Sequence, residues 1–345
     1  MANLGSIKNS TSWGQLFMVG IPGPRLEEVA RGLVWDLKVG GIILFARNLE
    51  DPQQVWQLTH DLQREALKAT GWPLLIALDQ EGGTVQRLKA PFTIIPPSRE
   101  LGLKATPEQV EALARQVARE LALVGVNVNL APVLDVARGP HCPLWDRSYG
   151  PDPELVAALG TAAIRGYLAG GVLPAAKHFP GLGDTVIDSH EDLALAESGD
   201  ALREADLYPF RRAVAAGVPL IMTAHLKVPQ WDSNPATLSE KILEGRLRRD
   251  LKFVGVSITD DLEIGAIATQ MPVPGAARQA LKAGADLLLI CKDWQAAWDA
   301  GALLAKEAAL QPRAQEAAAR LRLLKERLKP AAPDHKTVKE FFRSR

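Results

Sequence analysis

The run LPAAKHF (Leu173–Phe179) is apolar along most of its length and is as long as a typical strand. A strand that consists of a nearly continuous apolar run is buried on both faces, as it is in a parallel sheet. Runs of the same kind occur at seven other places, at residues 15–21, 40–45, 74–79, 126–135, 220–225, 253–261 and 286–291. Together, these eight runs predict a parallel sheet of eight strands.

Longer amphipathic stretches separate most of the runs, for example residues 107–125 and 202–217. Pro107 suits the first turn of a helix, and Gly125 and Gly217 suit C-terminal caps. The alternation of strands and helices predicts a (β/α)8 TIM barrel, which is an α/β fold. A doubly wound open sheet is disfavoured, because the residues after the first run, GIPGPR, do not form a phosphate-binding glycine fingerprint.

The barrel is expected to occupy residues 1–330 as a single domain, because no internal repeat or long linker divides the chain. Residues 294–328 are rich in alanine, leucine and arginine and predict one or two extra C-terminal helices. Residues 331–345 are polar and contain proline, so we expect a tail that either lies along the surface or is partly unstructured.

The composition limits the classes of partner. The chain has 345 residues, of which 47% are hydrophobic, so it can bury a large core. Basic and acidic residues both number 40, and this zero net charge argues against nucleic acid or a membrane surface as the main partner. Cys142 and Cys291 belong to no paired motif and are expected to be reduced thiols. The N-terminal segment lacks the apolar core of a signal peptide, so we expect a cytoplasmic location.

Five of the apolar runs end in charged or imidazole side chains. A buried strand rarely ends in this way unless the charges are paired or functional. In a TIM barrel the carboxyl ends of the strands meet at one rim, where active sites lie. We therefore expect a polar pocket at that rim, built from Asp79, Asp135, Lys177, His178, His225, Asp260 and Asp261.

The loop that follows the fifth run, KHFPGLGDTVIDSH (residues 177–190), concentrates titratable side chains. One interpretation is a solvated loop without function. A metal site formed by its histidines and aspartates is disfavoured, because Lys177 would repel a cation and no zinc motif accompanies it. A serine triad through Ser189 is disfavoured, because the G-x-S-x-G motif is absent. We expect neither a metal ion nor a cofactor.

This loop resembles the K-H-F-P-G-[HL]-G-x(4)-D-x-H signature of glycoside hydrolase family 3 β-N-acetylglucosaminidases. Glu263 and Ile264 stand where Ser-Met is common in that family, and Leu182 stands where many members carry His. Other motifs of the family occur in the same order along the chain: DQEGG (79–83), DRSYG (146–150), MTAH (222–225), PATLS (235–239) and TDDLEIGA (259–266).

The resemblance implies a retaining exo-β-N-acetylglucosaminidase of the bacterial, cytoplasmic cell-wall-recycling type. Such an enzyme removes terminal β-linked N-acetylglucosamine from cell-wall saccharides or muropeptides through a covalent glycosyl-enzyme. The resemblance assigns Asp260 as the nucleophile and His190 as the acid/base, with Asp188 holding the imidazole. We expect a monomer whose partner is a small saccharide. Substrate binding is assigned to Asp79, Arg87, Arg147, Lys177 and His178.

The residue types suit these roles. A nucleophilic carboxylate must be ionised and rigidly aimed, and the end of a strand provides that rigidity. Asp261 is the competing nucleophile, but alternation along the strand would point it to the other face. Asp188 and His190 are two residues apart, so in an extended segment they point to the same side. A histidine with an ordinary pKa of about 6.5 can both donate and accept a proton.

Three alternative functions stay open from the sequence. A β-N-acetylglucosaminide phosphorylase is chemically possible, since a histidine acid/base repels phosphate less than a glutamate would. A β-glucosidase or β-xylosidase would share the fold, and an inactive sugar-binding module would share the pocket. The sequence also leaves open whether His225, Asp135 or Glu263 contacts substrate.

Overall fold

The computed structural model describes residues 13–183, 185, 194–196, 199–328 and 333–343. Within these residues, eight parallel strands form one sheet, in the spatial order seven, six, five, four, three, two, one, eight. The strands are β1 (Phe17–Gly20), β2 (Gly41–Ile43), β3 (Leu75–Leu78), β4 (Val128–Asn129), β5 (Leu173–Phe179), β6 (Leu220–Thr223), β7 (Val256–Ile258) and β8 (Leu288–Ile290).

The sheet closes into a barrel where β8 meets β1 and β7. β8 pairs in parallel with β1 from Phe17 opposite Leu288. β7 meets the residues before β8 through a parallel bridge between Ile258 and Leu287, and the Thr259 amide donates to the Leu287 carbonyl over 2.9 Å. Each predicted run contains one strand, and every strand residue is buried. The predicted TIM barrel is confirmed.

Helices alternate with the strands and surround them. The first helix continues as a π-helical turn over Leu33–Leu37, and the seventh is π-helical throughout. The described helices are α1 (Glu28–Gly32), α2 (Pro52–Thr70), α3 (Ser98–Lys104), α4 (Pro107–Leu123), α5 (Pro153–Gly170), α6 (Asp200–Ala215), α7 (Lys241–Asp250), α8 (Gly265–Ala268), α9 (Val273–Ala283), α10 (Trp294–Ala305), α11 (Gln311–Glu326) and α12 (His335–Arg343).

Local sequence fixes several helix ends. α2, α4 and α5 begin with proline, and the preceding Asp51, Thr106 or Asp152 accepts hydrogen bonds from amides of the first turn. Gly125 and Gly217 follow α4 and α6 with φ of +78° and +76°, a left-handed conformation that favours glycine. The predicted helix start in residues 107–125 and both predicted caps are confirmed.

The chain after the barrel packs back onto it. Residues 294–328 contain α10 and α11, as predicted, and the described part of the tail forms α12. The Trp56 indole on α2 donates to the Pro333 carbonyl over 2.7 Å, and Val338 and Phe342 of α12 are buried. The described tail is therefore helical and lies along the surface, one of the two forms expected from the sequence.

Asp286 clamps the seam between β7 and β8 at the amino-terminal side of the barrel. Its carboxylate is fully buried and accepts a hydrogen bond of 3.0 Å from the Ser257 amide. Arg248 on α7 donates to it over 2.5 Å, and Arg313 and Arg320 on α11 donate over 2.6 and 2.9 Å. One carboxylate thus ties two outer helices to the seam.

Both cysteine side chains are buried. Cys142 and Cys291 are free, which agrees with the expected reduced thiols. In the part of the chain described above, no helix combines the length and the hydrophobicity needed to cross a bilayer.

One lysine is buried near the amino-terminal end of β1. Lys325 on α11 is 4% exposed, and its ammonium donates to Gln15 Oε1 over 2.9 Å. Burial disfavours the charged form and lowers the pKa of Lys325 to about 7. An unfolded lysine keeps its proton up to about pH 10.4. Between these two values the unfolded chain binds more protons, so rising pH favours the folded state.

Replacing Lys325 with methionine should stabilise the fold at pH 7, because folding no longer has to desolvate an amine. We expect the free energy of unfolding to rise by about 1–3 kcal/mol at pH 7, and the gain to shrink toward pH 10. Urea unfolding at both pH values measures the effect. Lys339→Met, at an exposed position on α12, is the control and should change little. A gain from Lys325→Met that is the same at both pH values would contradict the lowered pKa.

Candidate active site

Buried ion pairs connect the residues after β3 and β4 to β5 at the carboxyl rim of the barrel. The Lys177 ammonium in β5 lies 2.8 Å from Asp79 Oδ1 and also contacts the carboxylate of Glu81. Arg147 donates two hydrogen bonds of 2.9 Å to Glu81, and Arg87 donates to Asp79 over 3.2 Å. These five residues are called the ion cluster below. The structure therefore brings together four of the predicted sugar-binding residues.

Opposite charges keep the buried members of the ion cluster ionised. Burial alone would raise the pKa of Asp79, but Lys177 and Arg87 lower it to about 2. Burial would likewise raise the pKa of Glu81, but Lys177 and Arg147 lower it. Burial would lower the pKa of Lys177, yet Asp79 and Glu81 raise it. With three cations and two carboxylates, the cluster carries a net positive charge.

The rim loop, defined here as residues 79–97, is shaped by a glutamine side chain and a tight turn. Gln80 Oε1 accepts hydrogen bonds of 3.0 Å from the amides of Arg87 and Leu88, and Gln80 Nε2 donates to the Leu88 carbonyl over 2.8 Å. Gly82 has φ of +116°, which favours glycine. The turn returns the chain, so residues on both sides of it reach the ion cluster.

His178 is held by Asp135, which follows β4. Asp135 Oδ2 lies 2.7 Å from His178 Nδ1 and accepts a hydrogen bond of 3.1 Å from the His178 amide. Asp135 Oδ1 accepts a hydrogen bond of 2.7 Å from the Leu182 amide. Asp135 is fully buried, so it fixes both the imidazole and the first turn of the loop after β5. Its contacts show a bracing role.

The loop after β5 is attached at both of its ends. At its start the carbonyl of Gly183 accepts a hydrogen bond of 3.2 Å from a backbone amide of the loop after β4. At its far end Ala194–Leu195 pairs in parallel with Leu226–Lys227. Asp188 and His190 lie outside the described residues. Their roles as orienting carboxylate and acid/base stay predictions.

Asp260 lies two residues beyond β7, at the rim. Its amide donates to the carbonyl of Thr223, the last residue of β6, over 3.2 Å. Its Oδ1 accepts a hydrogen bond of 2.8 Å from the Asp261 amide. The side chain is partly exposed. The backbone is therefore fixed to a neighbouring strand, while the carboxylate can still be reached from the rim.

Asp261 faces the seam between β7 and β8. Its Oδ1 accepts hydrogen bonds from the amides of Glu263 and Cys291 over 3.2 and 3.3 Å. Burial and the nearby Glu263 carboxylate raise the pKa of Asp261 to about 7. A carboxyl group that is protonated over much of the range below neutral pH is a poor nucleophile. The Asp261 carboxylate is engaged in closing the seam.

Glu263 fastens the loop after β7 to the start of α10. Its carboxylate accepts three hydrogen bonds from consecutive amides, those of Cys291, Lys292 and Asp293, over 2.6, 2.6 and 2.8 Å. Its carboxylate is engaged by the backbone, so Glu263 braces the rim. Three bonds to one carboxylate fix the loop that carries Asp260.

His225 is a buried side chain just beyond β6. Its Nδ1 lies 3.0 Å from the Thr237 hydroxyl, and its Nε2 lies 2.8 Å from the carbonyl oxygen of Asp261. Both ring nitrogens therefore contact protein groups. His225 connects the loops after β6 and β7.

Sequence reasoning assigned no role to Glu81, although Glu81 shares the DQEGG motif with Asp79. Its side chain is only 2% exposed and bridges two of the predicted sugar-binding residues. The signal that could have found it is charge balance. The predicted substrate-binding set combined Arg87, Arg147 and Lys177 with one carboxylate, that of Asp79, and buried cations need partners.

A closed parallel barrel that presents carboxylates and cationic donors at its carboxyl rim is typical of the enzymes that hydrolyse glycosides. The family model for the glycosyl hydrolase family 3 N-terminal domain matches residues 10–324. The chain therefore belongs to glycoside hydrolase family 3. The predictions of this family and of a glycoside hydrolase are confirmed.

Several relatives are similar over most of the chain. A protein named beta-hexosaminidase from Nitrosomonas eutropha is 40% identical over 283 residues, which cover 80% of each chain. The structure of a glycoside hydrolase family 3 beta-N-acetylglucosaminidase from Paenibacillus sp. str. FPU-7 has a TM-score of 0.90 and 38% identity, and covers 98% of this chain and 68% of that chain. NagZ from Neisseria gonorrhoeae, in complex with N-trifluoroacetyl-D-glucosamine, has a TM-score of 0.82 and 31% identity over 95% of both chains.

Replacing Glu81 with glutamine should destabilise the protein, because Arg147 and Lys177 would lose a buried anionic partner. Removal of one member of a buried ion pair costs about 3–5 kcal/mol. Urea unfolding at pH 7 measures the loss. Glu111→Gln is the matched control, because Glu111 pairs with Arg165 at the surface, where ion pairs contribute little. Equal losses in the two variants would contradict the importance of Glu81.

Proposed function

We propose that this glycoside hydrolase is a retaining exo-β-N-acetylglucosaminidase. It removes terminal β-linked N-acetylglucosamine from cell-wall-derived saccharides or muropeptides, and acts as a cytoplasmic monomer without a cofactor. The observation that carries the proposal is Asp260, a partly exposed carboxylate fixed to β6 at the rim that holds the ion cluster. The sugar is proposed from the relatives, which are named beta-hexosaminidase and beta-N-acetylglucosaminidase.

In the proposed reaction Asp260 attacks the anomeric carbon while His190 gives a proton to the leaving oxygen, and the glycosidic bond breaks. The same imidazole then takes a proton from water, which attacks the anomeric carbon and releases Asp260. Two inversions give net retention of configuration. Asp188 orients the imidazole and stabilises its protonated form.

The ion cluster is suited to bind sugar hydroxyls. The two oxygens of Asp79 already accept hydrogen bonds from Lys177 and Arg87, and each keeps a lone pair for a hydroxyl. An ammonium has three donors, and Asp79 and Glu81 engage two of those of Lys177. The third donor is left for the substrate. We assign sugar binding to Asp79, Arg87, Arg147, Lys177 and His178.

The activity is tested by comparing an aryl N-acetyl-β-glucosaminide with the matching glucoside, xyloside and galactosaminide. Release of N-acetylglucosamine from a purified muropeptide tests the natural substrate. The proposal requires that NMR detects the β anomer first, whereas an α anomer would exclude retention. Preferred hydrolysis of the glucoside or xyloside would instead place the chain with those glycosidases. Sugar 1-phosphate formed in phosphate buffer would identify a phosphorylase, and sugar binding without product would identify an inactive module.

Replacing Asp260 with alanine should remove the nucleophile and lower kcat by at least about 10⁴-fold, while N-acetylglucosamine still binds. Steady-state kinetics and calorimetric titration measure the two effects. Asp261→Asn is the matched control, because asparagine keeps an oxygen that accepts the Glu263 and Cys291 amide bonds. A larger loss of kcat in Asp261→Asn than in Asp260→Ala would reverse the assignment.

Replacing His190 with alanine should lower kcat/KM by roughly 10²–10⁴-fold on glycosides with poor leaving groups, because the leaving oxygen is no longer protonated. Aryl glycosides with acidic phenols need little protonation and should lose much less. Ser189→Ala, the neighbouring position, is the control and should retain activity. Equal losses on both kinds of substrate would rule out an acid role for His190.

A further inference from the structure

The C-terminal helix α12 contacts the rim loop as well as α2. The rings of Phe342 on α12 and Phe92 in the rim loop have centroids 4.5 Å apart and are tilted by 51°. Their side chains are only 6% and 5% exposed. Phe341 packs edge-on against Phe342 with a centroid distance of 5.0 Å. Each ring removes the other from water, so the contact is hydrophobic and aromatic in character.

Phe92 belongs to the part of the rim loop that follows Arg87 directly. The Phe92 amide donates to the Lys89 carbonyl over 3.1 Å, which closes a turn. Thr93 follows Phe92 in the chain, and its carbonyl accepts a hydrogen bond of 3.2 Å from the side chain of Gln86. Gln86 thus ties the residue after Phe92 to the residue before Arg87. Phe92 and Arg87 are therefore connected through one short, hydrogen-bonded turn.

Two anchors outside the rim loop hold this turn. The first is α4, on which Glu120 accepts hydrogen bonds of 2.7 and 2.5 Å from the amide and the hydroxyl of Thr93, and Gln116 donates one of 2.8 Å to that hydroxyl. The second is Phe342. Phe342 lies on α12, which also buries Val338. The chain just before α12 is held by the hydrogen bond from the Trp56 indole on α2 to the Pro333 carbonyl.

We propose that α12 is a positioning element for sugar binding, in which Phe342 acts through Phe92 on Arg87. This proposal rests on the proposed role of Arg87 in sugar binding. α12 lies beyond residues 10–324, the range that the family model matches. In this proposal α12, a segment outside the matched range, helps to hold Arg87 in its position at the sugar site.

If Phe342 is lost, the turn next to Arg87 is still held by α4 through Thr93. Gln80 and Asp79 also still contact Arg87, so the barrel and Asp260 keep their places, whereas the turn next to Arg87 is held less tightly. Arg87 is assigned to sugar binding and takes no part in proton transfer or nucleophilic attack. KM should therefore rise by more than kcat falls.

Phe342→Ala should lower kcat/KM on an aryl N-acetyl-β-glucosaminide by roughly 3- to 30-fold, mainly through KM, as expected for coupled residues. Phe342→Leu keeps an apolar side chain at the contact and should recover most of the loss. Lys339→Ala, at an exposed position on the same helix, should leave both constants unchanged. A fall in kcat alone, or no recovery by leucine, would overturn the proposal.

A double-mutant cycle separates positioning from general destabilisation. In an Arg87→Ala background, Phe342→Ala should cost less than about twofold, because the residue that it positions is gone. Amide exchange in residues 86–93 should also increase in Phe342→Ala, and this readout needs no substrate. Full additivity, or unchanged exchange, would contradict the proposal. A wild-type protein that fails to hydrolyse the glycoside would contradict the proposed function instead, while the exchange measurement would still test the contact.

Discussion

The buried carboxylate of Glu81 allows two cations to lie side by side at the carboxyl rim of the barrel. Arg147 and Lys177 are both cations with little exposure to water, and they could not lie together without an anion between them. Glu81 supplies that anion, and the turn in the rim loop brings it to this place. Asp79, on the other side of Lys177, is shared with Arg87. The charged groups at the rim are therefore held in place by buried groups of opposite charge.

Other groups around the rim are also held in place by hydrogen bonds to the protein. His178 is held by Asp135, the loop after β7 is held by Glu263, and Asp260 is fixed through its own amide. Groups that are fixed before the substrate arrives need little reorganisation during the reaction. Asp261 is adjacent to Asp260 but has a different environment, because its carboxylate accepts hydrogen bonds from the Glu263 and Cys291 amides at the seam. Its raised pKa reflects burial at the seam, together with the nearby Glu263 carboxylate.

The barrel and the rim could be predicted because both depend on local signals, namely continuous apolar runs and polar residues at their ends. The fourth run is interrupted: Val128–Asn129 forms the strand, Pro132 has no amide to donate, and pairing with β5 resumes in a bridge between Val133 and Lys177. The roles of Glu81 and Phe342 had no local signal. Each depends on a partner distant in sequence, which only the closed fold brings near.

The seam at which the ring of strands closes lies beside Asp260. Asp286 fastens this seam on one side of the barrel and Glu263 on the other, and both fastenings need residues that are synthesised after β7. A chain that is still on the ribosome, with β8 unmade, lacks both fastenings. Such a chain can already contain Asp260 and its hydrogen bond to β6, but the loop after β7 is fastened to its other neighbour only when β8 has been made.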